Sequence, residues 1–519
     1  MFNGDDAGRQ PTTQGDDVTQ LDIEPSAIKH PEQDHRSVLT QRRDEQFARV
    51  EPKGTRVYTA LERAEALVDP GTFVPMTPLR KAGPTGGSGV VTGWGITSGH
   101  PVVVISHDAA VGAGAIGAVF AETVMAAQRL AIDKGYPIVY INDSGGARIH
   151  DGIHALHGCG GIFANNVEAS HKVPQISLIL GPCAGAAAYS PALTDWTIMV
   201  ADQAQMFLTG PAIVKAATGE DASADDIGGS RMHTTVSGVA HLEVPSEDAA
   251  LDAARSLLSF LPAHVGGAQK LVESRPADAA AVEHLPFVVP DKSSVVFDMN
   301  EVLDAVLDER ERLELMPTHA PSVLTVFGHL DGRPVGVVAN QPQARGGILD
   351  AKASVKISRF VDFCAKFGLP IVTFVDVPGF LPGTVEEGRG VITQGATMLR
   401  AYVEASSPVL TVVVRKAYGG AYIAMGAKSL GADFTWAWSG SEIAVMGPGG
   451  AVALLHRRAL KEAEQPEVPR DQLAAEYREN VARPYLAAEA GIVDDVILPE
   501  ETRGRMVDAL RMLTHESAG

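Results

Sequence analysis

The sequence predicts an α/β protein made of two similar domains in tandem, and three observations carry that prediction. Short Val/Ile-rich stretches alternate with Ala-rich helical ones. The stretch "YPIVYINDSGGARI" returns as "LPIVTFVDVPGFLP", with Pro137 and Pro370 set 233 residues apart. Other landmarks keep the same frame. Pro101 in "SGHPVVVIS" and Pro334 in "DGRPVGVVA" are also 233 apart, Gly114 in "GAGAIG" matches Gly347 in "RGGILD", and Pro174 and Pro408 are 234 apart. A unit of this length is too long for a solenoid. Alternating strand and helix patterns imply crossover connections, with strands buried on both faces.

Taken in order, residues 1–33 read as a polar tail rich in Asp, Gln, Thr, Gly and Pro. "HRSVLTQRRDEQFARV" reads as an amphipathic lead-in helix. The N-terminal domain is placed at 34–263, with its repeat from Tyr58 to about Leu261 and a helix at "AETVMAAQRLAIDKG". Residues 264–293 mix Gly, Pro and charge and read as a linker. The C-terminal domain is placed at 294–519, with strands at "VLTVFGHL", "PVGVVAN", "PIVTFVDV", "VLTVVVRK" and "EIAVMG". Its end reads as helical around one short strand.

The bulk properties narrow the function. With 519 residues, 45% hydrophobic and 20% charged, the chain can bury full-sized cores. A net charge of −20 speaks against a general nucleic-acid binder but leaves room for a local basic pocket. Cys159, Cys183 and Cys364 lie far apart without CxxC spacing, which points to a reducing compartment and away from structural zinc. No signal peptide is recognised, and "VPQISLILGPCAGAAAYSPAL" is too punctuated by Pro and Gly to span a membrane. A soluble, cytoplasmic protein without membrane, nucleic-acid or metal partners is expected.

In each repeat, two strands end in small-residue turns that lead into a helix: "NDSGGARI" and "CAGAAAYS", then "DVPGFLPG" and "AYGGAYIA". Such turns leave the first helical N–H groups unpaired at the positive end of the helix dipole. Small residues also let an oxygen approach the backbone. Two adjacent turns can make an oxyanion hole, once per repeat, suited to an enolate or comparable anion. Any one turn taken alone also fits a tight bend or a packing site. No dinucleotide or P-loop fingerprint is present.

Side-chain candidates fit structural roles at least as well. Ser144 and Ser190 lack a nucleophile elbow and read as caps or turn residues. His150, His154 and His157 have helical spacing without a zinc-enzyme carboxylate. Asp143 and Asp376 end equivalent strands and read as turn-fixing acids, with direct catalysis as the alternative. Arg148 suits a phosphate or a structural carboxylate.

"YINDSGGARI", "AAAYSPALTD", "TGPAIVKAATGED", "SGVAH", "GRPVGVVANQP", "FVDVPGFLPGT", "RKAYGGAY" and "AVMGPGGAV" together resemble the carboxyltransferase β subunits of biotin-dependent acyl-CoA carboxylases, of the actinobacterial propionyl-CoA and acetyl-CoA type. The resemblance runs from about Lys53 to the C-terminus. It implies two crotonase-fold (ββα superhelix) domains, the N-half taking an acyl-CoA and the C-half carboxybiotin. It also implies a homohexamer built as a trimer of dimers with sites between subunits. Matching the motifs puts Gly185 and Ala186 in the acyl-CoA hole and Gly420 and Ala421 in the biotin hole. Gly146, Ala147, Gly379 and Phe380 are the flanking donors. Tyr189, Arg148, Gly419, Tyr422 and Ile423 line the substrate side. The ureido-derived anion left by loss of CO₂ is itself basic, so the resemblance requires no protein base.

Departures from the family pattern are expected near the pocket: Ala186 for a glycine, Ile423 for an Asp, Thr393-Gln394 for a basic pair, and His319 for an aromatic residue. Ile423 calls propionyl preference into question and suggests a specialised acyl chain. With no Met-Lys-Met biotinylation signal and no ATP-binding carboxylase region, the chain is expected to need a biotin carboxylase/biotin carrier α subunit. Three alternatives remain: a malonyl-type-CoA decarboxylase or transcarboxylase subunit, a hydratase using Glu386 and Glu387, and a non-catalytic scaffold subunit.

Overall fold

The computed structural model describes residues 32–46, 57–77, 79–81, 87–290, 292, 294–462 and 467–514, and holds two eight-stranded sheets of one design. Residues 1–31, most of the expected polar tail, lie outside the described residues. The lead-in helix is present as Glu32–Gln46 and falls in a unit of its own, residues 1–48, while residues 49–519 form a second unit.

The first sheet contains β1 (Val74–Met76), β2 (Val90–Thr97), β3 (His100–His107), β4 (Ile138–Ser144), β5 (Gln175–Ala184), β6 (Trp196–Val200), β7 (Gln205–Phe207) and β8 (Leu242–Val244). Its order is β1-β2-β3-β4-β5-β6-β8, with β7 beside the end of β5. The second contains β9 (Leu313–Leu315), β10 (Val323–Leu330), β11 (Arg333–Asn340), β12 (Ile371–Val377), β13 (Val409–Tyr418), β14 (Phe434–Trp438), β15 (Glu442–Ala444) and β16 (Asp495–Ile497). Its order repeats the first strand for strand, with β15 beside the end of β13.

Local chemistry explains the matched elements. Ser98–Gly99 and Asp331–Gly332 all have positive φ (50°, 80°, 55° and 74°), as a two-residue hairpin turn between antiparallel strands requires. β4 and β12 are buried at every position, which is why both read as nearly unbroken Val/Ile runs rather than alternating ones. Helices Ala118–Lys134 and Ile153–Ser170 provide the crossovers in the first half, and Ala351–Lys366 and Val391–Glu404 provide them in the second. The C-terminal helices Pro484–Glu489 and Thr502–Leu513 flank β16, as expected.

Residues 264–293, expected to be a linker, include regular structure. They carry the helix Ala279–Val288, whose Leu285 and Val288 enter the second core beside Met299, Val302 and Leu303. The Gly/Pro-rich composition hid this helix, which even tolerates Pro286. Burial of its apolar face against the second half outweighs the poor local propensity.

The halves meet in an aromatic seam. Trp196 from β6 is buried against Phe363 and Phe327 of the second half, with ring centroids 4.9 and 6.2 Å away, and Phe260 stacks on Phe327 at 5.8 Å. Arg359 crosses the seam to the Thr194 and Asp195 carbonyls at 3.2 and 2.8 Å, and Lys366 pairs with Asp195 at 2.5 Å.

Candidate functional site

In each half, the paired turns leave neighbouring parallel strands. β4 and β5 run side by side to the Ser144–Cys183 pair, and β12 and β13 to the Val377–Ala417 pair. The turns after them are therefore adjacent within each half. In the first half they touch, since a Cβ on Gly146 would lie 2.7 Å from the Ala184 carbonyl. β5 passes directly into the helical turn Gly185–Ala188, and β13 into the helix Gly419–Ala424. Gly185 has φ 60° and Gly419 φ 61°, the left-handed conformation that suits glycine. The strand registers, Ala184–Phe207 and Tyr418–Ala444, make Gly185 equivalent to Gly419 and Ala186 to Gly420. The structural repeat is thus offset by one residue from the Gly420–Ala421 pair chosen by motif. Ala421 aligns with Ala187, and both side chains are buried. Gly379 and Gly420 face open space, for a Cβ on either meets nothing within 4 Å. There is room here for a planar ring to approach the backbone.

The turns after β4 and β12 differ between halves. The Gly146 N–H already donates to Ser144 Oγ at 3.2 Å, and the same hydroxyl donates to the Gly114 carbonyl at 2.7 Å. Ser144 is therefore a turn clip, in line with its structural reading. Its counterpart in the second half is Val377, which has no such oxygen. Otherwise the turns share one pattern: Ile116 donates to the Gly146 carbonyl and Arg148 to the Ile116 carbonyl, as Leu349 does to Gly379 and Leu381 to Leu349. Ala147 and Phe380 form the matching bridges to Ile116 and Leu349.

Asp143 and Asp376 are sealed beneath the turns, 1% and 0% exposed. Asp143 meets Arg63 at 3.1 Å, and Arg63 also grips Glu247 through two bonds of 3.0 and 2.8 Å. Asp376 receives Arg415 through bonds of 3.2 and 2.8 Å and the Lys416 N–H at 2.9 Å. Both acids are held in buried ion pairs. Arg63 and Glu247 were missed in the sequence. Glu442 was missed too: it accepts from the Tyr418 hydroxyl and from Arg478 at 2.6 Å.

Other candidates take structural places. Ser190 donates to Asn166 at 2.9 Å. His150, His154 and His157 are exposed, and among the described residues no cluster suits a metal ion. Arg148 lies 3.7 Å from Asp151, whose carboxylate accepts from the Ala118 N–H at the start of the earlier helix Ala118–Lys134. Glu386 is buried against Arg389 at 2.6 Å, which removes it as a free base. Tyr189 and Ile423 are exposed, at 49% and 42%. The Tyr422 hydroxyl is buried without a partner, and burial pushes it up to about 12. His319, expected near the pocket, instead sits in the seam, its ring against Gly238 and its Nδ1 3.3 Å from the Thr235 carbonyl. Gln394 lines an inter-half cleft of about 520 Å³ with Arg359 and Lys366.

Residues 50–518 match the carboxyl transferase domain family. The propionyl-CoA carboxylase carboxyltransferase subunit of Haloferax mediterranei is 48% identical over 464 residues, covering 88% of this chain and 90% of that one. The methylmalonyl-CoA decarboxylase subunit alpha of Veillonella parvula is 46% identical over 466 residues, covering 88% and 90%. The transcarboxylase 12S crystal structure, a hexamer with methylmalonyl-CoA and methylmalonic acid bound, superposes with a TM-score of 0.86 at 40% identity over 94% of this chain and 97% of that one. The doubled crotonase-like fold expected from the motifs is shared with these structures.

Proposed function

The chain belongs to the carboxyl transferase family and is a biotin-dependent acyl-CoA carboxyltransferase, and from that premise we propose how its two halves divide the reaction. The Gly185–Ala186 turn holds the thioester oxygen of the acyl-CoA, with Ala147 as the flanking donor. The Gly419–Ala421 turn holds the ureido oxygen of carboxybiotin, flanked by Gly379 and Phe380. Carboxybiotin, when bound, supplies the activated carboxyl group. The chain's own residues bind, orient and hold negative charge on two oxygens. Asp143, Asp376 and Glu386 are committed to ion pairs, and no side chain is assigned as the decisive base. The observation that supports this reading is the matched pair of left-handed glycines, Gly185 and Gly419, each opening a helical turn beside a second glycine turn. A donor fixed in place before reaction needs no reorganisation, and each is worth about 2.7–4 kcal/mol in comparable holes.

Exposed apolar residues near the turns, among them Ile149, Ile153, Ile392 and Val445, fit burial by further copies of the chain. A homohexamer with sites between subunits is the assembly that suits them. A biotin-carrying α subunit is the partner required. The test is a screen of acyl-CoAs from acetyl to long-chain with a supplied carboxybiotinylated carrier. Acyl-CoA-dependent loss of carboxybiotin is expected; its absence across the whole series rejects the reading. A second reading, decarboxylation of a malonyl-type CoA, is favoured by the likeness to the Veillonella subunit. Release of CO₂ from methylmalonyl-CoA with no carrier present tells the two apart.

A further inference from the structure

The two glycine turns are backed differently. A short strand runs beside each, β7 in the first half and β15 in the second, and Leu208 and Val445 follow these strands at equivalent places. A Cβ on Gly185 would lie 3.9 Å from the Leu208 carbonyl, but one on Gly419 would lie 3.0 Å from the Val445 carbonyl. The second turn is pressed more closely onto its neighbour. In each half a π-helical turn, a feature common at functional sites, sends its first residue back to the short strand. His233 opens His233–Ser237 and meets the Met206 carbonyl at 2.5 Å, and Arg478 opens Arg478–Ala482 and donates to Glu442 at 2.6 Å. In the second half this contact continues to the turn itself. The other Glu442 oxygen accepts from the hydroxyl of Tyr418, the residue immediately before Gly419. The Tyr418 ring is buried under Gly447, where a Cβ would come within 2.9 Å of it. The register-equivalents of Tyr418 and Glu442 in the first half are Ala184, which has no hydroxyl, and Gln205, which turns to Asp225 at 3.0 Å.

We propose that Tyr418, Glu442 and Arg478 are positioning residues of the carboxybiotin half: together they form a brace that fixes the Gly419–Ala421 turn so that its N–H groups stay aimed at the ureido oxygen. This rests on the assignment of carboxybiotin to that half. A backbone donor helps a reaction only if its direction is set beforehand, and a misplacement of about 1 Å can cost about a hundredfold in rate. Glu442 is 6% exposed, and a buried carboxylate stays where its donors hold it. Both bonds of the brace involve a charged group and so belong to the strong class of hydrogen bond. Burial and the Glu442 carboxylate hold the Tyr418 hydroxyl far above the usual tyrosine range, so it remains a donor at any working pH.

The test uses the full-length chain with a saturating carboxybiotinylated carrier. Tyr418→Phe keeps the ring and removes the hydroxyl, and it is expected to lower kcat about tenfold. The Kd for acyl-CoA, measured by calorimetry on unloaded protein, should not change, because that ligand belongs to the other half. Arg478→Met should lower kcat similarly, and Arg478→Lys, which keeps a cation beside Glu442, should recover most of the rate. The double variant Tyr418→Phe/Arg478→Met should lose little more than the worse single variant, since both break one brace. Hydrogen exchange on unloaded Tyr418→Phe, read by peptide mass spectrometry, should be about tenfold faster across residues 419–425 and unchanged across 185–192. Undiminished kcat in Tyr418→Phe, exchange unchanged at 419–425 or faster throughout the chain, losses that multiply in the double variant, or a folded Arg478→Lys no better than Arg478→Met each overturns the proposal. If Arg478→Met does not fold, Tyr418→Phe and its exchange decide. Wild-type protein that transfers no carboxyl group refutes the parent reading instead.

Discussion

Asp143 and Asp376 end equivalent strands and are equally buried, yet their arginines arrive from different directions. Arg63 reaches Asp143 from the helix Ala60–Leu67, whereas Arg415 reaches Asp376 from the neighbouring strand. The space Arg415 starts from is held in the first half by Gly181, where any Cβ would collide with the Asp143 carboxylate. The duplicated frame has kept the acid and exchanged the source of its counter-charge.

Removing that counter-charge takes the guanidinium away from two buried carboxylates. Arg63→Met removes the cation shared by Asp143 and Glu247 and is expected to cost about 3–5 kcal/mol. The shift in urea midpoint of the variant measures it.

The backbone donors can be separated from their side-chain space. Gly420→Pro deletes an N–H and should lower acyl-CoA-dependent loss of carboxybiotin by about 10²–10³-fold. Gly420→Ala keeps the N–H, adds a methyl to open space, and copies the Ala186 already present in the other half. It should retain most of the turnover, and equal losses in both variants would reject the donor role.

Ile423 is 42% exposed, so Ile423→Asp should leave the fold intact and shift preference among acyl-CoAs. An unchanged kcat/KM profile across acyl lengths would remove this residue from the pocket.

Burial lowers His107 to about 4, and its ring lies edge-on to Phe120 with centroids 5.0 Å apart. The unfolded chain binds this proton more readily, so stability rises with pH between about 4 and 6.5 and is lost on acidification through that window. The loss reaches about 3 kcal/mol by about pH 4, and about 2 kcal/mol of it falls between about pH 7.5 and 5. Urea titrations at pH 7.5 and 5 should show it, and His107→Gln should flatten the difference.

The duplication was legible because turn chemistry is local. Ser98–Gly99, Asp331–Gly332, Gly114 and Gly347 carry their backbone requirement in their own residue types, and all adopt positive φ. The glycine turns were legible for the same reason. Ion pairs were not: Arg63 and Glu247 are 184 residues apart, and no window of sequence contains both. The helix Ala279–Val288 was hidden because its support comes from Met299 and Val302 rather than from its own composition. The contact of His319 with Gly238 was not legible because the two residues come from different halves. Ser144 as a turn residue was legible, but its capture of the Gly146 N–H was not, since only the folded bend brings the two together.

Trp196 belongs to the first half by sequence, but much of its ring environment comes from the second: Phe327, Phe360 and Phe363, with Arg359 5.8 Å from the ring centre. In a variant whose other three tryptophans, Trp94, Trp436 and Trp438, are replaced by Phe, its fluorescence is an intrinsic gauge of how firmly the two halves are joined. Loosening of that junction would dim or red-shift the emission while both sheets stayed intact, giving an optical signal for domain separation without an attached dye.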